Sequence, residues 1–61
     1  MGFYKARKAA GLTQIQAAKL LGVTDATISQ WEHGETKPKT SRLANVAKVY
    51  CCTIDELLKE E

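Results

Sequence analysis

The chain has 61 residues, of which nine are lysine or arginine and seven are aspartate or glutamate, for a formal net charge of +2. This length provides one small core and no second domain to form a substrate cleft, so we predict a single domain over residues 1–61 that acts through its surface. Apolar residues at 44% and charged residues at 26% argue against a disordered or membrane-spanning chain.

The charges are unevenly distributed. Residues 1–50 contain eight basic and three acidic side chains, whereas residues 51–61 contain one basic and four acidic side chains. If the protein binds a polyanion, the last segment should face away from it. We find no secretory signal and no myristoylation motif, so we expect a cytoplasmic protein with no membrane partner.

Cys51 and Cys52 are the only cysteines. A disulfide between adjacent cysteines would be strained, and no second pair completes a zinc site. We therefore predict free thiols in a reducing compartment and no metal ion.

Apolar residues recur at spacings of three and four along the whole chain, which predicts an all-α fold. The first helix is predicted from Phe3 to Ala10, with Gly11 as a left-handed stop. Thr13 and Gln16 have the spacing of a capping box and predict a second helix that ends at Gly22.

Thr24 is an N-cap candidate for a third helix from Asp25 to about Glu32. The residues Lys37-Pro38-Lys39 predict a loop, after which Thr40 or Ser41 should cap a fourth helix that reaches about Tyr50.

Thr53 and Glu56 form another capping-box pattern and open a short fifth helix. Ile54, Leu57 and Leu58 are expected to close this helix over the core.

The second and third helices are joined by a turn of about three residues, which is typical of a helix-turn-helix. Ala18 is small enough for the two helices to cross closely, and Gly22 can adopt the sharp turn. Ile28 and Trp31 then anchor the third helix to the core.

The segment AGLTQIQAAKLLGVTDATISQWEHGETKP, together with TIDELL near the end, resembles the DNA-binding domain of the lambda-repressor and Cro family. The resemblance covers about Phe3 to Leu58. It implies a compact five-helix domain whose DNA-binding motif spans about residues 14–33, with the recognition helix at 25–32 in the major groove of double-stranded DNA. It also implies a buried structural ion pair between Arg7 and Glu32.

Four residues of the predicted recognition helix share one outward face at i, i+1, i+4 and i+5, and these positions match the base-reading positions of the family. They are Asp25, Ala26, Ser29 and Gln30. The Gln30 amide can bond adenine N6 and N7 in one plane, and Ala26 can contact a thymine methyl group. Asp25 suits the positive end of the helix dipole and could also accept a hydrogen bond from cytosine N4.

Phosphate contacts are implied for the start of the second helix, the start of the third helix and the loop after it. The residues concerned are Gln14, Thr24, Thr27, Thr36, Lys37 and Lys39. Each set has a simpler interpretation: the outward face could be an ordinary solvated surface, the threonines could only cap the helix, and the lysines could belong to an ordinary polar loop. His33 has no catalytic or metal partner at a suggestive spacing and is expected to be a helix-end residue.

Two features depart from the family pattern. Cys51 stands where the family usually has glycine, so the turn there could be strained, and Cys52 takes a usual valine position and should be buried. Ile15 and Leu20 stand at commonly charged sites, either as scattered exposed residues or as a partner surface.

We predict a sequence-specific regulator of transcription from a bacterium or phage, most simply a repressor that acts as a homodimer on double-stranded DNA. The sequence shows no paired carboxylates, no pair of nucleophile and base, and no phosphate-binding loop. We therefore expect no enzymatic activity, no cofactor and no small-molecule substrate. The alternative is a protein-binding helix-turn-helix module, such as an antitoxin or a bridging factor.

Overall fold

A computed structural model describes residues 2–59 of the chain. Met1 and the acidic pair Glu60 and Glu61, which contributes to the charge asymmetry, lie outside the described residues. The described part is all-helical, as predicted, and no helix in it is both long enough and apolar enough to cross a bilayer. Its five helices are α1 (Phe3–Ala9), α2 (Gln14–Leu21), α3 (Asp25–Glu32), α4 (Thr40–Val49) and α5 (Ile54–Leu58).

Both predicted capping boxes are confirmed. The Thr13 hydroxyl accepts a hydrogen bond from the Gln16 amide at 3.1 Å, and Gln16 Oε1 accepts one from the Thr13 amide at 2.9 Å. Thr53 and Glu56 make the same reciprocal pair at the start of α5. Each box satisfies amides at a helix start that have no partner inside the helix, which is why these two starts were predictable from local sequence.

The predicted cap of α4 was wrong. Thr40 is already the first helical residue, Lys39 is the N-cap, and no side chain caps this helix. The Lys39 carbonyl accepts from the Leu43 amide at 2.8 Å, which is the first hydrogen bond of the helix. The helix therefore begins one or two residues earlier than a cap at Thr40 or Ser41 would place it.

Helix α1 ends at Ala9, one residue before the predicted end, and Gly11 follows in the left-handed conformation at φ 75°. The amides of Gly11 and Leu12 bond back to the carbonyls of Lys8 and Arg7 in a Schellman turn.

The same paired bonds close α4, where Cys51 and Cys52 donate to Lys48 and Ala47 at 3.2 and 2.9 Å. Cys51 has a φ of 56° and is the only non-glycine residue with positive φ among residues 2–59. A Cβ atom is unfavourable in this conformation, so the predicted strain at this turn is present.

We therefore expect Cys51→Gly to stabilise the domain by up to about 1 kcal/mol, because glycine removes the Cβ clash but raises the entropy of the unfolded chain. Urea denaturation in the presence of a reductant measures the change. Cys51→Ser keeps the Cβ atom and serves as the control, so equal stability of the Gly and Ser variants would contradict this explanation.

The core lies where all five helices meet. Its buried apolar side chains are Ala6, Ala17, Ala18, Leu21, Ile28, Trp31, Val46, Ala47, Tyr50 and Leu57. Leu58 was expected to join this core but is 47% exposed. Adjacent residues on a helix point about 100° apart, and on α5 the core side is occupied by Leu57, which is buried. Cys52, expected to be buried, is only partly buried against the core.

Candidate nucleic-acid interface

Helices α2 and α3 meet across a turn formed by Gly22, Val23 and Thr24. Gly22 adopts the left-handed conformation at φ 71°, and the Val23 amide donates to the Ala18 carbonyl at 3.0 Å. Ala18 is 5% exposed, so its small side chain lies inside the helix crossing. This close approach fixes the direction in which α3 leaves the turn.

The inner side of α3 is held firmly. Ile28 is fully buried and Trp31 is 5% exposed, and the Phe3 ring lies 6.2 Å from the Trp31 ring. The Thr24 hydroxyl accepts from the Thr27 amide at 3.2 Å and lies 2.9 Å from the Thr27 hydroxyl. Thr24 is therefore the N-cap, as predicted, and the two threonine hydroxyls are already bonded to each other.

The opposite side of α3 carries the residues predicted to read bases. Asp25, Ala26 and Gln30 are exposed, and Ser29 is partly exposed. No hydrogen bond joins the side chain of the exposed Gln30 to another residue within 2–59, so both groups of its amide are available to an outside partner. Asp25 lies in the first turn of α3, where the helix dipole favours a carboxylate.

His33 is the C-cap residue of α3, in agreement with the helix-end prediction. Its Nδ1 lies 2.9 Å from the Ser29 carbonyl oxygen and 3.2 Å from the Ser29 hydroxyl. Sequence reasoning did not connect these two residues, although their spacing of four on a helix is a signal that such a contact can form.

Of the residues predicted to contact phosphate, Gln14 is the most constrained. It begins α2, but its amide nitrogen donates to Glu32 Oε1 at 3.2 Å. Three further predicted phosphate contacts, Thr36, Lys37 and Lys39, are exposed in the loop between α3 and α4. No hydrogen bond or ion pair within the described chain ties these three side chains to α3.

Arg7 and Glu32 form a bidentate ion pair between α1 and the end of α3. Arg7 Nε donates to Glu32 Oε2 at 2.6 Å and Nη2 donates to Oε1 at 3.3 Å, while the two side chains are only 7% and 5% exposed. Nη1 also donates to the Leu12 carbonyl at 2.8 Å. The hydrogen bond that Arg7 donates to Glu32 raises the pKa of Arg7 although burial opposes this, so the guanidinium stays charged.

Two tyrosines surround this ion pair. The Arg7 guanidinium lies 5.3 Å from the centre of the Tyr4 ring, within the range of a cation–π contact. Tyr50 is buried in the core. Its burial raises the pKa of its hydroxyl to about 12, and the negative charge of Glu32 makes a smaller contribution in the same direction. The phenol is therefore neutral at physiological pH and adds no charge to the cluster.

Arg42 is a structural residue that sequence reasoning missed. Its Nη1 donates to the Leu21 carbonyl at 2.8 Å and thereby satisfies a group at the C-terminal end of α2 from α4. The two residues are 21 positions apart, and only the folded structure brings them together. The contact secures the end of α2 next to the turn that leads into α3.

The remaining features have no apparent chemistry of their own. Ile15 and Leu20 are 59% and 62% exposed, and both cysteines are free thiols. Residues 2–59 contain no group of three histidine, cysteine, aspartate or glutamate side chains that could hold a metal ion.

A family model described as helix-turn-helix matches residues 3–57. The chain belongs to the helix-turn-helix family. Its α2 and α3, with the short turn between them, are the helix-turn-helix of that family, and the predicted resemblance to lambda-repressor and Cro-type domains is confirmed.

Two curated relatives are similar to this helix-turn-helix chain. Repressor protein C2 of Salmonella phage P22 is 40% identical over 53 residues, which cover 87% of this chain and 24% of the relative. The HTH-type transcriptional activator BcrR of Enterococcus faecalis is 42% identical over 55 residues, which cover 90% of this chain and 27% of the relative. The chain thus spans about a quarter of the length of these relatives.

A solved structure extends the comparison to the fold. The crystal structure of the P22 c2 repressor, in complex with a synthetic operator in the presence of Tl⁺, matches with a TM-score of 0.85 and 36% identity. The match covers 97% of this chain and 89% of that chain. The five-helix arrangement is therefore that of a known repressor domain.

Proposed function

We propose that this helix-turn-helix chain is a sequence-specific double-stranded DNA-binding domain of a bacterial or phage transcriptional regulator. The observation that carries the proposal is the polar outer face of α3. Ile28 and Trp31 fix the inner side of this helix in the core, which leaves Asp25, Ala26 and Gln30 presented together to solvent. A rigid helix with an exposed polar face is what insertion into the major groove requires.

In this proposal the α3 face reads base edges. Gln30 bonds N6 and N7 of an adenine, because its amide has one donor and one acceptor in a plane. Ala26 contacts a thymine methyl group, Asp25 accepts from a cytosine amino group, and Ser29 bonds a fourth base edge.

Phosphate contacts position the domain without reading sequence. They come from the start of α2, the start of α3 and the loop after it, through Gln14, Thr24, Thr27, Thr36, Lys37 and Lys39. Gln14 and the two threonines of α3 already bond within the domain, so they contribute less than the exposed lysines unless their partners change on binding.

Two relatives with opposite outputs, a repressor and an activator, support regulation of transcription. We propose repression, because the phage repressor matches in both sequence and structure. Two copies of the domain would bind paired half-sites about one DNA turn apart, since one surface of this size gives weak affinity alone. Such an activity would be exerted in the bacterial cytoplasm.

Selection from random duplexes, followed by titration of the selected duplex at several salt concentrations, tests the proposal. The logarithm of the binding constant should fall linearly with the logarithm of the salt concentration, because basic side chains displace counterions from the phosphates. Failure to enrich any sequence, or an affinity that salt does not change, would contradict sequence-specific binding.

Gln30→Ala should weaken binding of the selected duplex by about 1 to 3 kcal/mol and abolish the preference at one base pair. Competition between the selected duplex and variants of that base pair measures the preference. Asn45→Ala removes an exposed amide from α4 instead of α3 and is the matched control. An equal effect of the two substitutions would show that Gln30 does not read a base.

The second candidate function is protein binding through α2, and it is supported by the exposure of Ile15 and Leu20. Exposed apolar side chains are common on soluble proteins, so this observation is weaker than the α3 face. The double variant Ile15→Ser, Leu20→Ser should leave DNA affinity unchanged within about twofold. A loss of DNA binding in this variant would show that α2 contributes a surface that the first proposal leaves out.

A further inference from the structure

The contact between His33 and Ser29 uses part of the hydrogen-bonding capacity of the Ser29 hydroxyl. His33 Nδ1 is 2.9 Å from the Ser29 carbonyl oxygen. A carbonyl oxygen only accepts hydrogen bonds, so Nδ1 must carry a proton for this contact to be favourable. This holds for the neutral ring in its Nδ1–H form and for the doubly protonated ring alike.

The same nitrogen is 3.2 Å from the Ser29 hydroxyl oxygen. A protonated ring nitrogen has no lone pair to accept a hydrogen bond, so the hydroxyl cannot donate to it. The Nδ1–H group is therefore shared between the Ser29 carbonyl and the Ser29 hydroxyl, and the hydroxyl oxygen acts here as an acceptor. Its own hydrogen remains available for another partner.

A serine inside a helix commonly uses that hydrogen to bond the carbonyl four residues earlier. For Ser29 this would be the Asp25 carbonyl, and the described chain contains no such bond. Ser29 shares the outer face of α3 with Gln30 and is partly exposed. The free O–H group therefore belongs to the face that we propose enters the major groove.

We propose that His33 is a positioning residue for base recognition, which occupies one of the two acceptor lone pairs of the Ser29 hydroxyl and so favours its use as a hydrogen-bond donor. The inference rests on the proposed DNA-binding function and adds the chemistry of one contact. A donor at this position favours a base edge that presents an acceptor, namely guanine N7 or O6, adenine N7 or thymine O4, over the cytosine amino group.

The first test uses the domain alone. Long-range ¹H–¹⁵N correlation spectra of the neutral ring should show that His33 carries its proton on Nδ1. A ring protonated on Nε2 would overturn this inference and leave the proposed function intact. His33→Asn is the conservative variant, because its side-chain amide can place an N–H group where Nδ1 lies.

The second test measures competition among duplexes that differ at the base pair read by Ser29. His33→Ala should reduce the discrimination there by about two- to tenfold, the range expected for one hydrogen bond, and His33→Asn should restore it. In a Ser29→Ala background, His33→Ala should have no further effect on discrimination, because the two residues act as one unit.

Besides the Nε2–H spectrum, three results of the binding measurements would overturn the inference. Additive effects of the two alanine substitutions would show that His33 reads DNA itself. An equal loss of affinity for all duplexes would show only a structural role at the end of α3. A domain that binds no duplex at all would overturn the proposed function, and with it the role of His33 in base recognition. The Nε2–H spectrum would instead overturn the role of His33 alone.

Discussion

Glu32→Ala is expected to unfold much of the population of this domain under conditions in which the unmodified chain is folded. The substitution leaves the Arg7 guanidinium buried without its carboxylate, which costs about 3 to 5 kcal/mol. A chain of this length has a total unfolding free energy of only about 3 to 9 kcal/mol. Gln14 would lose its partner as well, since it donates to the same carboxylate.

Thermal and urea unfolding followed by circular dichroism measure this loss. Glu35→Ala removes the same charge from an exposed site three residues later and should change stability by no more than about 0.5 kcal/mol. The double variant Arg7→Met, Glu32→Met should be more stable than Glu32→Ala, because it leaves no unpaired buried charge. If Glu32→Ala and Glu35→Ala unfold alike, the buried ion pair does not stabilise the domain.

Ile28→Ala is expected to destabilise the domain by about 2 to 5 kcal/mol and to loosen α3. Ile28 is one of the largest fully buried side chains, and it anchors α3 to the core. Its truncation removes buried methyl groups and leaves a cavity that the small core can only partly fill. DNA affinity should fall too, because part of the population no longer holds α3 in position.

The chain contains a matched control for this substitution. Ile15→Ala makes the same chemical change at a side chain that is 59% exposed, so its effect on stability should stay within about 0.5 kcal/mol. Urea unfolding compares the two variants directly. Equal destabilisation would mean that Ile28 does not anchor α3 as the structure indicates.

The parts of the fold that were predictable are those with local causes. The capping boxes at Thr13 and Thr53 join residues three positions apart, and Gly11 stops α1 by its own backbone preference. The spacing of Ile28 and Trp31 also identified the inner side of α3 without reference to other helices.

The errors have tertiary causes. Helix α4 begins without a hydroxyl cap, and packing of α5 against the core buries Leu57 but leaves Leu58 exposed. The bond from Arg42 to the Leu21 carbonyl crosses 21 positions and has no sequence signature. These features depend on packing between helices, which cannot be predicted from a single sequence.

The predicted placement of the candidate-site residues was also right where the cause is local and incomplete where it is tertiary. Helical spacing placed Asp25, Ala26, Ser29 and Gln30 on one face, and the structure brings them there. The resemblance implied a phosphate contact for Gln14, but the structure shows that the end of α3 competes for its amide through Glu32. The role of His33 could not be predicted from residue type, because it depends on a 2.9 Å contact with the Ser29 carbonyl.

In the proposed complex, α3 meets duplex DNA through its outer face. Mapping of backbone amide shifts during titration with a duplex at low salt tests it most directly. We expect the largest shifts at residues 24–30, with further shifts at the start of α2 and in the loop at residues 36–39, and small shifts in α5. Shifts centred on Ile15 and Leu20 with α3 unchanged, or no shifts at any duplex concentration, would contradict the claim.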